Sequence, residues 1–173
     1  MKILVTGSNG FIGKNLRVYL SERKEIDVVT FSRDDVLGSL ASKLDGVDFI
    51  FHLAGVYRPK NVEEFALGNS DLTSSLCQAI LQTKRLIPII YTSSVQAELD
   101  NPYGQSKKAA EQILIDFSAQ SGSPVYLFRL PNVFGKWCKP NYNSAVATFC
   151  YNIAHNLPVQ INDQTATIQL VYV

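Results

Sequence analysis

The sequence predicts a doubly wound α/β fold, a parallel sheet with helices on both faces. Three observations carry that prediction. Short apolar runs rich in β-branched residues recur as far as Leu130, segments with helical spacing of apolar residues separate them, and a glycine-rich turn joins the first run to the first helical segment.

The strand-like runs are Ile3 to Thr6, Val28 to Phe31, Val47 to His52, Leu86 to Thr92 and Val125 to Leu130, each apolar enough to be buried on both faces. Between them, helical spacing relates Leu16 to Leu20, then Leu72, Leu76 and Ile80, then Ala110, Ile113, Leu114 and Phe117. Regular alternation of this kind implies right-handed crossovers in a parallel sheet. From Pro131 the texture changes to a polar, aromatic loop over Gly135 to Asn143. A helix over Ala145 to His155 follows, then strand-like runs at Pro158 to Ile161 and Thr167 to Val173. The expected organisation is therefore a nucleotide-binding domain over 1–133 and the start of a second, truncated lobe over 134–173. The last run reaches Val173 with no turn or cap signal after it.

Composition narrows the function. A hydrophobic share of 46% against 18% charged residues indicates a globular chain with a real core. A net charge of +1 provides no basic field for nucleic acid or a membrane surface. Cys77, Cys138 and Cys150 form neither a CxxC pair nor a metal spacing, so no metal site is expected. The apolar run at Ile3 to Val5 is too short for a signal peptide or a span, which makes the cytoplasm the default location.

Thr6-Gly7-Ser8-Asn9-Gly10-Phe11-Ile12-Gly13 sets three glycines between the first strand and the first helix. A dinucleotide needs backbone amides close to its pyrophosphate. Glycine allows both the tight turn and the close approach, while the helix N-terminus adds partial positive charge. At the end of the second strand, where an NAD enzyme commonly offers an acid to the ribose diol, this chain has Ser32 and Arg33. Arg33 can pair with a 2′-phosphate and Ser32 can donate to it, favouring NADP(H) over NAD(H), although Asp34 and Asp35 pull the other way. The third strand ends His52-Leu53-Ala54-Gly55, small enough for adenosine and ribose to lie against backbone. His52 has no nucleophile partner in sequence and reads as a packed strand-end histidine rather than a catalyst.

Tyr103-Gly104-Gln105-Ser106-Lys107 is the strongest constellation, because i, i+4 spacing places Tyr103 and Lys107 on one helix face. A neighbouring ammonium favours the phenolate and should bring Tyr103 toward the working pH range, with Lys107 also holding the nicotinamide ribose. A YxxxK pair alone has low specificity. Its company raises it: Thr92-Ser93-Ser94 ends the preceding strand, where Ser94, or failing it Ser93, can hydrogen-bond the reacting oxygen.

Taken with Arg129-Leu130-Pro131-Asn132-Val133-Phe134-Gly135, these motifs resemble the extended short-chain dehydrogenase/reductase superfamily over essentially the whole chain. The resemblance implies a Rossmann fold, pyrophosphate binding by Gly7, Gly10, Phe11, Ile12 and Gly13, and an adenosine and ribose pocket at Leu53, Ala54 and Gly55. It also implies that Pro131 lies near the nicotinamide, that Asn132 reaches the substrate beside Ser93, and that a homodimer forms through two long helices. A narrower likeness, in Asp100-Asn101-Pro102-Tyr103 and in Phe134 to Tyr151, is to bacterial capsule and O-antigen reductases of UDP-N-acetyl-L-fucosamine synthesis. That likeness implies a UDP-linked deoxy-keto sugar as substrate. Members of that group continue well beyond this length and add a cupin domain. Two rival readings are a nucleotide-sugar epimerase or dehydratase using the same Tyr/Lys pair, and a non-catalytic NADP(H)-binding protein. Intact Ser94, Tyr103 and Lys107 argue against the second.

Overall fold

The computed structural model describes residues 1–173, which divide into two compact units, Met1–Arg129 and Leu130–Val173. In the first unit the predicted strands form one five-stranded sheet: β1 (Lys2–Thr6), β2 (Asp27–Phe31), β3 (Phe49–His52), β4 (Ile89–Ser94) and β5 (Val125–Leu130), in the order β2-β1-β3-β4-β5. The β1–β2, β1–β3 and β3–β4 pairs are all parallel. The helices are α1 (Phe11–Ser21), α2 (Leu40–Lys43), α3 (Glu63–Phe65), α4 (Leu72–Thr83) and α5 (Pro102–Ser121).

Two layers of helix sandwich this sheet, as the double-sided apolar runs require. On one face Leu20 of α1 packs with Ile3 and Val5, with Leu16, Val28, Phe49 and Phe51 around them. On the other, Leu44, Leu76, Ile80, Ala110, Leu114 and Phe117 cover Leu4, Ile50, Ile89 and Tyr91. Each fully buried large side chain contributes roughly 1.5–3 kcal/mol relative to exposure. β5 departs from the expectation of two buried faces: Tyr126 and Phe128 are each 50% exposed. β5 closes the sheet order, and alternate side chains point to opposite faces. Val125 and Leu127 join the α4–α5 core, while α1 covers the opposite face only over the strands nearest β1.

The sheet order creates the crevice. The chain leaves β1 for β2 on one side and returns to β3 on the other, so the connections diverge at the carboxyl ends of β1 and β3, where open α/β sheets bind ligands. A second departure lies between β3 and α4. Sequence periodicity starts the helix at Leu72, whereas the chain turns helical at Glu63 and passes through a π-helical stretch over Ala66–Asp71. Such π stretches are uncommon and cluster at functional sites.

In the second unit, β6 (Asn132–Phe134) pairs in parallel with β7 (Leu170–Tyr172), and α6 (Ala145–Ala154) is capped by Ser144, whose Oγ accepts from Ala147 N at 3.3 Å. The strand expected at Pro158–Ile161 does not form. A strand needs a partner for its backbone groups. The Pro158 carbonyl instead accepts from Asn152 Nδ2 at 2.9 Å, which turns this segment back onto the end of α6.

Candidate active site

The loop after β1 is shaped by its glycines. Gly7 has φ +67°, and a β-carbon there would fall 2.6 Å from Ala54 N; one on Gly13 would fall 2.3 Å from the Gly7 carbonyl. β1, the loop and the end of β3 thus touch backbone to backbone, the cradle a pyrophosphate requires. Gly10 caps α1 and donates to the Gly7 carbonyl at 2.9 Å. Phe11 and Ile12 open the helix, and Leu53, Ala54 and Gly55 line the other wall from the end of β3. This arrangement fits a dinucleotide.

His52, just below, is structural. The Thr73 hydroxyl donates to the Asn69 carbonyl at 2.6 Å, so it accepts from His52 Nε2 at 2.9 Å, and Nδ1 must then accept from Thr6 Oγ1 at 2.7 Å. Burial pushes the imidazole down to about 3, leaving it neutral. It ties β1, β3 and the first turn of α4 together under the loop.

After β2, the exposed Arg33 is available to a ligand. Ser32 is turned elsewhere. Its amide donates to Asp35 Oδ2 at 2.7 Å and its hydroxyl lies 3.3–3.4 Å from the carboxylates of Asp35 and Asp34. Asp35 is held by Lys43 at 2.9 Å, which keeps its carboxyl below the usual range. Asp34 lies 3.5 Å from Asn9 Nδ2 on the phosphate loop. Ser32, expected to assist Arg33, makes these contacts within its own turn.

Ser94, Tyr103 and Lys107 are brought together. Asn101 caps α5, its Oδ1 accepting from Gly104 N at 2.8 Å, with Pro102 in the first turn. A β-carbon on Gly104 would fall 2.1 Å from the Gln96 carbonyl, so this glycine lets the turn Val95–Glu98 press against the start of α5. That contact joins the turn carrying Ser94 at its N-cap to the first turn of α5, which carries Tyr103. The Ser94 oxygen already accepts from Gln96 N at 3.2 Å, which leaves its proton to donate.

Burial raises Tyr103 above its ordinary value, with Ser94 acting in the opposite sense. This differs from the lowering expected from Lys107. Lys107 Nζ donates to the Thr92 carbonyl at 2.8 Å and lies 4.3 Å from the centre of the Tyr91 ring. Burial lowers Lys107 from 10.5 to about 7. Because the folded value lies below the unfolded one, the unfolded chain binds the extra proton between these limits, so stability should rise from pH 7 toward pH 10. Lys107→Met is expected to flatten that rise and to increase stability at pH 7. Urea denaturation at pH 7 and pH 9.5 checks this, and an unchanged slope would refute it.

Several residues at the site escaped sequence reasoning. Asn69, from the π-helical stretch, clips the loop after β3 to α5: Oδ1 accepts from Val56 N at 2.9 Å and Nδ2 donates to Ser106 Oγ at 2.8 Å. Its only sequence signal is Gly68-Asn69 interrupting a helical stretch. Tyr57 and Phe65 surround the Tyr103 ring with centroids 5.2 and 5.9 Å away. Pro131 and Asn132 lie in the second unit, where Asn132 Nδ2 donates to the Gln169 carbonyl at 3.4 Å. Ser93, at the end of β4, is buried and its Oγ has no hydrogen-bond partner.

Residues 3–173 match the NAD dependent epimerase/dehydratase family. The chain belongs to that family. It is 58% identical over all 173 residues to the UDP-2-acetamido-2,6-beta-L-arabino-hexul-4-ose reductase of Pseudomonas aeruginosa, covering 46% of that protein. The capsular polysaccharide assembling protein CapF of Staphylococcus aureus superposes with a TM-score of 0.86 at 44% identity, over 99% of this chain and 47% of that one. A UDP-glucuronic acid 4-epimerase from Bacillus cereus, at 21% identity and a TM-score of 0.86 over 99% of this chain and 69% of its own, shares the fold. The chain spans about half the length of the first two relatives. No helix is long and apolar enough to cross a membrane.

Proposed function

We propose that this chain provides the dinucleotide-binding and proton-transfer part of an NADPH-dependent reductase acting on the 4-keto group of a UDP-2-acetamido-2,6-dideoxyhexulose, in capsule or O-antigen sugar synthesis. The observation that carries this reading is the 58% identity to such a reductase across the full chain, a match that spans the whole unit holding Ser94, Tyr103 and Lys107. In this reading residues 1–133 hold the dinucleotide and 134–173 begin the sugar lobe, with Pro131 beside the nicotinamide and Asn132 toward the substrate. A homodimer in the cytoplasm is part of the same reading.

Bound NADPH would supply hydride to the carbonyl carbon. The chain's residues supply the remainder. Tyr103, kept protonated by its burial, gives its phenolic proton to the carbonyl oxygen, and the free Ser94 hydroxyl steadies that oxygen as charge develops. Lys107 holds the nicotinamide ribose and offsets the charge left on Tyr103. Gly7, Gly10 and Gly13 bring backbone amides to the pyrophosphate, and Arg33 receives the 2′-phosphate.

The test is stoichiometry. The whole protein given the UDP-linked keto sugar should consume one NADPH per sugar reduced, read as loss of nicotinamide absorbance. Turnover without net loss of NADPH would point instead to an epimerase or dehydratase. Ser93-Ser94-Val95-Gln96 favours the reductase here, since no acid directly follows the serine, and Glu98 is paired with Arg129 at 2.9 Å. Arg33→Ala should weaken NADPH binding about 10- to 100-fold, the worth of a charge-assisted pair, and leave NADH binding unchanged in fluorescence titrations. Equal losses for both would overturn the NADP(H) assignment.

A further inference from the structure

Arg129 and Glu111 form a pair whose position the proposed reaction does not explain. Arg129 grips Glu111 side-on, Nε donating to Oε1 at 2.9 Å and Nη2 to Oε2 at 2.7 Å, while Nη1 reaches Glu98 at 2.9 Å. The Glu111 side chain is 6% exposed, against 73% for Glu98. Arg129 itself is 39% exposed, and an isolated pair of this kind is weak evidence for stability, because desolvation of the buried carboxylate offsets the attraction. This pair has a neighbour. Glu111 stands four residues after Lys107, on the same face of α5, and its charge opposes the effect of burial on the lysine.

We propose that Glu111, clamped by Arg129, is a positioning residue whose fixed negative charge keeps Lys107, one helical turn after Tyr103, in the ammonium form. This rests on the reading of Tyr103 and Lys107 as the working pair. The other groups around the lysine cannot do the same. His52, from β3, is neutral and fully buried. Tyr91, from β4, stays protonated because burial raises it, and its hydroxyl has no partner. Tyr103, on α5 itself, is likewise held protonated by burial. Ser93, also from β4, is buried and uncharged, and its Oγ has no hydrogen-bond partner. The arginine fork, rather than a hydroxyl, therefore fixes the carboxylate, and the carboxylate is the one anion facing Lys107 from its own helix. Arg129 places this charge from β5, across the sheet edge from β4.

The experiment follows the Lys107 side chain by NMR across pH in the whole protein, assigned by comparison with Lys107→Met, and measures kcat in parallel. In wild type the titration midpoint should lie near pH 7. Glu111→Gln, which keeps size and hydrogen bonding, should move the midpoint down by at least one unit. It should lower kcat about tenfold at pH 7 with KM little changed, and lowering the pH should restore the rate. If Glu111→Gln does not fold, Arg129→Lys, which retains the charge but loses the fork, should shift the midpoint in the same direction by a smaller amount. An unmoved midpoint in the folded variant, or a rate loss independent of pH, would overturn the proposal, since a merely structural pair would behave in that way. The midpoint is read without turnover, so an inactive wild type would sink the reductase reading while leaving this inference to stand or fall on its own.

Discussion

Tyr103→Phe is expected to lower kcat by about 10²- to 10⁴-fold while leaving dinucleotide affinity within a few-fold of wild type, the usual contribution of a positioned general acid. The expectation is specific because the substitution removes one oxygen and little else. The ring keeps its edge contact with Tyr57 and its tilted contact with Phe65, so the aromatic cluster and the start of α5 should survive. Ser94 keeps its role at the following turn, where it accepts from Gln96 N. Steady-state rates with the UDP-linked keto sugar, set beside a fluorescence titration with NADPH, separate the two quantities. If the Tyr103→Phe protein oxidised NADPH at the wild-type rate with that sugar, the proposed proton transfer would be wrong.

Gly7→Ala should have the second large effect, this time on binding and stability together. The residue has φ +67°, where an L side chain is strained, and its β-carbon would lie 2.6 Å from Ala54 N and 2.7 Å from Ala54 Cα. Those atoms belong to backbone at the end of β3, so relief requires β1 and β3 to part where the crevice opens. Backbone strain and a clash of this kind cost on the order of 1–3 kcal/mol each, and the pyrophosphate cradle is the feature that deforms. Dinucleotide affinity is expected to fall at least 100-fold, with a lowered melting temperature. Gly38→Ala is the control, because a β-carbon there meets nothing within 4 Å. Calorimetry on both variants decides the matter: Gly7→Ala protein that binds as tightly as the Gly38→Ala control would remove the phosphate loop from the account.

Much of this site was legible in the linear chain because its signals are local. Gly7, Gly10 and Gly13 fall within one turn, and Tyr103 and Lys107 within another, so spacing alone puts them on one loop and one helix face. Three further features were not. Glu111 follows Lys107 by one helical turn, yet nothing near it in sequence announces Arg129, which arrives from β5 eighteen residues later. Gly104 reads as filler inside YxxxK until the Gln96 carbonyl is found against it. Asn69 reads as a helix breaker until Val56 and Ser106 are found on its amide.

By itself, then, the sequence determined the alternation of buried strands and helices, the tight glycine-rich turn after β1 and the placing of Tyr103 and Lys107 on one helix face, since each depends on a repeat or spacing of only a few residues. Only the tertiary structure decided the sheet order that opens the crevice between β1 and β3, the neutral structural state of His52, the turning of Ser32 toward Asp35, and the balance of burial and charge at Lys107. Those properties depend on which distant segments share a strand edge or a dry interior. Coulomb and desolvation energies follow distance in space and access to water, and neither is written along the chain.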